Sequence, residues 1–248
     1  MSPDDFENAL HAAVGKPRTE WRTIGGGRFA TKQLVKEPGA HRTAWAQAFI
    51  KLGHPQSIKL VINLNLKQGG LSTADYARLS TLALTGIRRY WSRTVTLGAT
   101  QFVVNVLAVQ NLGNGMDAKL LIEKEKKYAR SYNLAILWFD AKFIYNAGFY
   151  NNAVDADQDF METCAHEFGH SVLTEYGGIG RSWTHEGSTS ILQSTKGSTP
   201  GYPTTGEINL MEYYDDAKQS ATATRLATAT RASEFDVLCL LWMSTLTF

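Results

Sequence analysis

Apolar positions recur along this chain at two periods. Between residues 76 and 90 they fall at helical spacing (Tyr76, Leu79, Leu82, Ala83, Ile87, Tyr90). Just before them, Ser72-Thr73-Ala74-Asp75 fits a capping box with Asp in place of Glu. The pattern predicts a long amphipathic helix ending near Trp91. Arg88, Arg89 and Arg93 would sit at its C-terminal end, where cations complement the helix dipole. Residues 4–14 carry a shorter helical pattern, and Gly25-Gly26-Gly27 reads as a turn or hinge. The other period is two. Residues 58–66 (IKLVINLNL) alternate and are β-branched, which predicts a strand. Residues 94–110 read as one long strand or two joined at Gly98, closed by the turn 111–115, and 133–140 (NLAILWFD) as another strand. The aromatic, Asn- and Asp-rich stretch 143–159 reads as a loop at the mouth of whatever follows.

Helical spacing returns over 157–176. Phe160, Met161, Cys164, Ala165, Phe168 and Val172 form its buried stripe, and Gly177-Gly178 forms its stop. Almost nothing is apolar from 194 to 206, which marks a loop. Residues 217–233 are Ala/Thr-rich, either a helix or an irregular surface stretch, and 234–243 (EFDVLCLLWM) reads as a buried helix. With no repeat and no clean linker, the reading is one α+β domain over 1–248, with 1–30 as an N-terminal extension.

Composition narrows this picture. With 44% hydrophobic and 11% aromatic residues, 248 residues can bury a substantial core. The net charge of +2 is spread along the chain, so nucleic-acid binding is not expected. The alternating charges of 119–130 read as a solvated face. Cys164 and Cys239 both lie in apolar contexts and read as small buried residues. The first 21 residues lack a basic segment followed by an apolar core, so no secretory signal is expected there. No run approaches the roughly 18 apolar residues of a membrane span.

The chemistry concentrates in His166-Glu167-Phe168-Gly169-His170. Histidines four apart on a helix lie about 40° off one line, so both imidazoles reach a single ion. Glu167, between them, can take the proton of a water that zinc activates. Zinc requires a third protein ligand and keeps one position for water. The extended motif with a third histidine does not apply, because Leu173 and Tyr176 occupy its positions. Downstream candidates are His185, Glu186, Glu207, Glu212 and Asp215. If 207–214 is a helix, Glu207, the leading candidate, shares the inward face with Leu210, Met211 and Tyr214. If it is a strand, Glu212 takes that place beside Ile208, Leu210 and Tyr214. Glu207 also fits a capping box as Thr204-Thr205-Gly206-Glu207. His185, Tyr213 and Tyr214 are candidates for a second oxyanion donor beside zinc.

The run HEFGHSVLTEYGGIGRSWTHEGSTS, followed by STPGYPTTGEINLMEYY, resembles the metallopeptidase effector domains at the C-terminus of type VI secretion spike (VgrG) proteins and related Rhs-type toxins. The likeness rests on His166–His170, Gly177-Gly178, Ser182–His185 and Gly206–Met211, within about residues 160–214. Asn209 stands where that pattern has Asp, and Glu186 where it has Lys. The resemblance implies a zincin-like fold, a mixed sheet packed against a long backing helix and an active-site helix. It implies His166, His170 and a downstream Glu as zinc ligands, with Glu167 as base. Delivery on a secretion spike to the target-cell periplasm, a peptide or protein substrate and a cognate immunity protein also follow from it. Two alternatives remain beside an endopeptidase toxin: a zinc amidase cleaving cell-wall peptides, and a non-catalytic zinc- or partner-binding module.

Overall fold

The alternating run near residue 60 becomes the spine of the molecule. In the computed structural model, which describes residues 1–15, 18–24, 27–33, 43–113, 115–133, 141–178, 182 and 199–248 (backbone alone for 18–24 and 27–33), it forms β4 (Ser57–Lys67). Ile58, Leu60, Ile62, Leu64 and Leu66 are buried on one face, as a period of two requires. A strand has two edges. β6 (Thr100–Gln110) pairs in parallel with one of them, from Ser57↔Val103 to Leu64↔Gln110. Two strands share the other: β3 (Ala46–Lys51) runs antiparallel along residues 57–62, and β7 (Met116–Glu123) runs parallel along 64–67. β5 (Arg93–Leu97) pairs with β6, β8 (Ala141–Asn146) with β7, and β11 (Thr245–Thr247) with β3. The result is a seven-stranded mixed sheet. Of the two readings of 94–110, the structure takes the second: β5 and β6 join at a turn through Gly98, at φ +61°.

Among the described residues, five helices accompany this sheet: α1 (Pro3–Val14), α2 (Thr73–Trp91), α3 (Ala153–Gly177), α4 (Ala223–Ala229) and α5 (Glu234–Met243). The fold is therefore mixed α+β. Their starts follow the capping chemistry. Ser2 with Asp5, and Ser233 with Asp236, form reciprocal capping boxes, while the Ser72 hydroxyl accepts from the Asp75 amide. α2 packs on β6 and against α3, which in turn packs on β8 and α5. Gly86 permits the close approach of α2 to α3, because a Cβ there would collide with the Met161 carbonyl. Gly86→Ala should lower stability by about 1–3 kcal/mol, the usual cost of overpacking, read as a lowered Tm. An unchanged Tm would contradict the close crossing.

Several expectations need correction. The stretch 143–159 is not a loop. Phe143 and Tyr145 point inward as part of β8, and the buried Asn146 side chain accepts from the Ala129 amide at 2.8 Å and donates to its carbonyl at 3.0 Å. α3 then starts at Ala153, capped by Asn152, whose side chain accepts from the Asp155 amide at 2.9 Å. The solvated-face reading of 119–130 holds for the exposed residues 124–127, whereas 119–123 belong to β7 with Leu120 buried. β3 and the hairpin of β1 (Arg18–Ile24) and β2 (Gly27–Gln33) were not anticipated. The strand expected at 133–140 lies outside the described residues beyond Asn133, and the loop at 194–206 lies outside them before Thr199. No helix among the described residues is long and apolar enough to cross a membrane.

Candidate metal centre

α3 carries the pentapeptide in its second half, and its neighbours fix where each side chain faces. Phe168 packs edge-on against Trp91, ring centroids 5.1 Å apart, and the Trp91 indole donates to the Ala165 carbonyl at 3.0 Å. From the sheet side, the buried Asn133 amide donates to the Glu167 carbonyl and the Ser171 hydroxyl, both at 2.7 Å. These contacts hold the apolar stripe of α3 down and turn His166, Glu167 and His170 the other way. Gly169 leaves room for the Met211 thioether, which a Cβ there would displace, and Leu210 places its carbonyl on His166. The chain around 208–214 thus lies against the ligand face.

His166, Glu167 and His170 each bring one ligand atom within 4.8 Å of the others, the only such group of His, Cys, Asp or Glu among the described residues. His166 Nδ1 lies 2.7 Å from the Leu210 carbonyl, and His170 Nδ1 lies 3.1 Å from the Ser182 carbonyl and 3.0 Å from its hydroxyl. A carbonyl oxygen only accepts, so each Nδ1 is the protonated nitrogen. Each Nε2 then carries the lone pair, as in histidines that bind metal while a carbonyl fixes their tautomer. Burial pushes the same way. It lowers the His166 pKa to about 4, despite the Leu210 hydrogen bond, and lowers His170 well below its ordinary value. Two neutral, oriented imidazoles beside a carboxylate could hold a metal ion.

Glu167 is 4% exposed, and burial raises its carboxyl to about 7, opposed by the nearby Arg130 guanidinium. A base poised near neutrality is what proton transfer requires. Tyr213 lies beside His166, ring centroids 5.6 Å apart, and its hydroxyl accepts from Arg130 at 2.5 Å. Burial pushes this phenol up to about 12, so it remains a donor. Tyr214 also lines the cleft, but its hydroxyl is engaged, accepting from the Asn209 amide and donating to Glu212, each at 3.0 Å.

The leading third-ligand candidate is not brought to the histidines. Glu207 is exposed and ion-paired to Arg93 at 3.1 Å and Arg231 at 3.5 Å, so its charge is already satisfied at the sheet edge. The segment 207–214 is not a helix: only Ile208–Asn209 is a strand, β9, paired in parallel with β10 (Thr230–Arg231). Glu212 lines the cleft beside His166 but does not join the ligand group. His185 and Glu186 lie outside the described residues, although Ser182, just before them, holds His170.

The cleft itself, about 640 Å³, opens from His166 and Glu167 along α3. Sequence reasoning missed its walls. Asp155, Asp159, Glu162 and His166 are spaced four, three and four apart, which aligns them on one helix face. That spacing was the available signal. Burial, with the Asp159 charge adding to it and Arg89 opposing, raises Glu162 to about 7 from its ordinary 4.5. Folding then favours the neutral acid, so ionisation costs nothing below the unfolded pKa and its full amount above about 7. Glu162→Gln should therefore gain about 1–3 kcal/mol over the wild type at about pH 8 and much less at about pH 5, after discounting for partial exposure. Urea unfolding at both pH values measures this, and an equal difference at each would contradict it.

No protein-family model, no curated protein and no solved structure matches this chain.

Proposed function

We propose that this chain is a zinc-dependent endopeptidase with a zincin-like arrangement, and that it acts as an antibacterial toxin carried to the target periplasm by a secretion spike. The observation that carries the enzymatic part is the pair of carbonyls, of Leu210 and Ser182, that receive the two Nδ1 protons and leave each Nε2 its lone pair, in a group with Glu167 whose ligand atoms lie within 4.8 Å of one another. His166 and His170 would hold the ion. Zinc, when bound, supplies Lewis acidity that polarises a carbonyl and acidifies water.

This chain's own residues supply the rest. Glu167 accepts a proton from the attacking water and returns it to the leaving amine, so the peptide C–N bond breaks as the C–O bond forms. Tyr213, held by Arg130 next to His166, donates to the oxygen on which negative charge develops. The cleft takes the peptide on one side of the bond. Its openness beside the histidines favours a catalytic site over a closed structural one, in which four protein ligands surround the ion. Secretion-linked delivery rests on the resemblance over about residues 160–214.

The test is incubation of the zinc-reconstituted chain with periplasmic protein and, separately, with purified peptidoglycan. New internal protein termini that disappear with a chelator are expected. Release of cell-wall peptides alone would replace the reading with an amidase, and no cleavage of either would leave a non-catalytic zinc module.

A further inference from the structure

The cleft beside the metal centre is strongly polarised. At its His166 end stands Arg130, the one Lys or Arg among the described residues that line it. Farther along, Asp155, Asp159, Glu162, Glu212 and Asp216 line the same space, together with Tyr128, Tyr150 and Tyr202. Most acidic clusters are solvated faces, but this one has an unanswered carboxylate. Glu162 makes no hydrogen bond or ion pair among the described residues, yet it sits deep enough in the wall for burial to dominate its ionisation. Arg89, whose charge favours ionised Glu162, makes its hydrogen bonds elsewhere, to Gln158 at 3.2 Å and to the Ala227 carbonyl. Asp159 accepts from Tyr128 at 3.2 Å, and Tyr150 and Asn146 also reach its carboxylate.

These acids do not converge as metal ligands do, since no group of them brings its oxygens within coordination range among the described residues. Spread carboxylates walled by aromatic rings match a larger cation: an ammonium or guanidinium on an apolar stem, which donates charge-assisted hydrogen bonds and packs against phenol faces. Position follows from the helix. Glu162 precedes His166 by one turn, about 6 Å along the axis, and an extended peptide covers about 3.3–3.6 Å per residue. Building on the peptidase reading, we propose that the cleft selects peptides with a lysine or arginine within about two residues of the cleaved bond, its charged head held by Glu162 and Asp159.

Binding tests this independently of hydrolysis. The zinc-loaded Glu167→Gln chain is titrated with two fluorescent pentapeptides that differ only in a central lysine or norleucine. The lysine peptide should bind about tenfold tighter, a difference of one charge-assisted contact. Glu162→Gln, and separately Asp159→Asn, should bring that ratio toward one. Equal binding of the two peptides overturns the inference, and so does a ratio that neither substitution changes. Cleavage-site profiling of a peptide mixture by the wild type separates the two readings. Lysine-selective binding without any cleavage leaves the cleft's preference standing and removes the peptidase. Cleavage with no basic residue near the new termini does the reverse.

Discussion

Glu167→Gln should leave zinc bound at one ion per chain and lower peptide hydrolysis by about 10²–10⁴-fold, the range that a positioned general base contributes. The two halves of this result have separate physical origins. Metal retention follows because His166 and His170 are oriented by the carbonyls of Leu210 and Ser182, which the substitution does not touch. The rate falls because an amide cannot take the proton of water. Glutamine preserves volume at a site 4% exposed, so packing against α2 and the sheet should survive. The loss should appear in kcat, with KM little changed, since Glu167 acts on water and not on the bound peptide. Elemental analysis with steady-state kinetics measures both halves. Unchanged turnover would remove Glu167 from the chemistry.

The second large effect is on stability. Zinc at about a thousand times its Kd should stabilise the chain by about 4 kcal/mol, because it binds the folded state alone. For a chain of this size that is a Tm rise of roughly 8–16 °C. His170→Ala should abolish the rise, and a chelator should reverse it in the wild type. The effect should be large because the site is largely built before metal arrives. Desolvation disfavours protonation of both imidazoles, and each is tied to a backbone carbonyl. A rise that persists in His170→Ala would place the metal elsewhere.

Much of the scaffold was legible where local chemistry and period agree. The capped helix from Ser72, the buried C-terminal helix and the alternating β4 each repeat one signal at several levels. β8 was hidden because its Asn146 reads as a loop residue, whereas its amide is satisfied by Ala129 across a gap in sequence that no local pattern reveals. The metal pair was legible because its spacing is itself the geometry. The third ligand was not. Whether Glu207 faces the histidines depends on Arg93 and Arg231, which reach it through tertiary packing. The cleft's acids were legible in principle, but the helix was expected to start after Asp155, so the line from Asp155 to His166 was cut.

The central claim is that the two imidazoles of α3 hold one metal ion through nitrogen. Zinc K-edge X-ray absorption on the one-to-one complex tests it most directly. It should show a nitrogen and oxygen shell at about 2.0–2.1 Å with outer scattering from two imidazoles, and no sulfur near about 2.3 Å. The His166→Ala, His170→Ala double variant should lose that signal. A sulfur shell, or the same spectrum in the double variant, would contradict it.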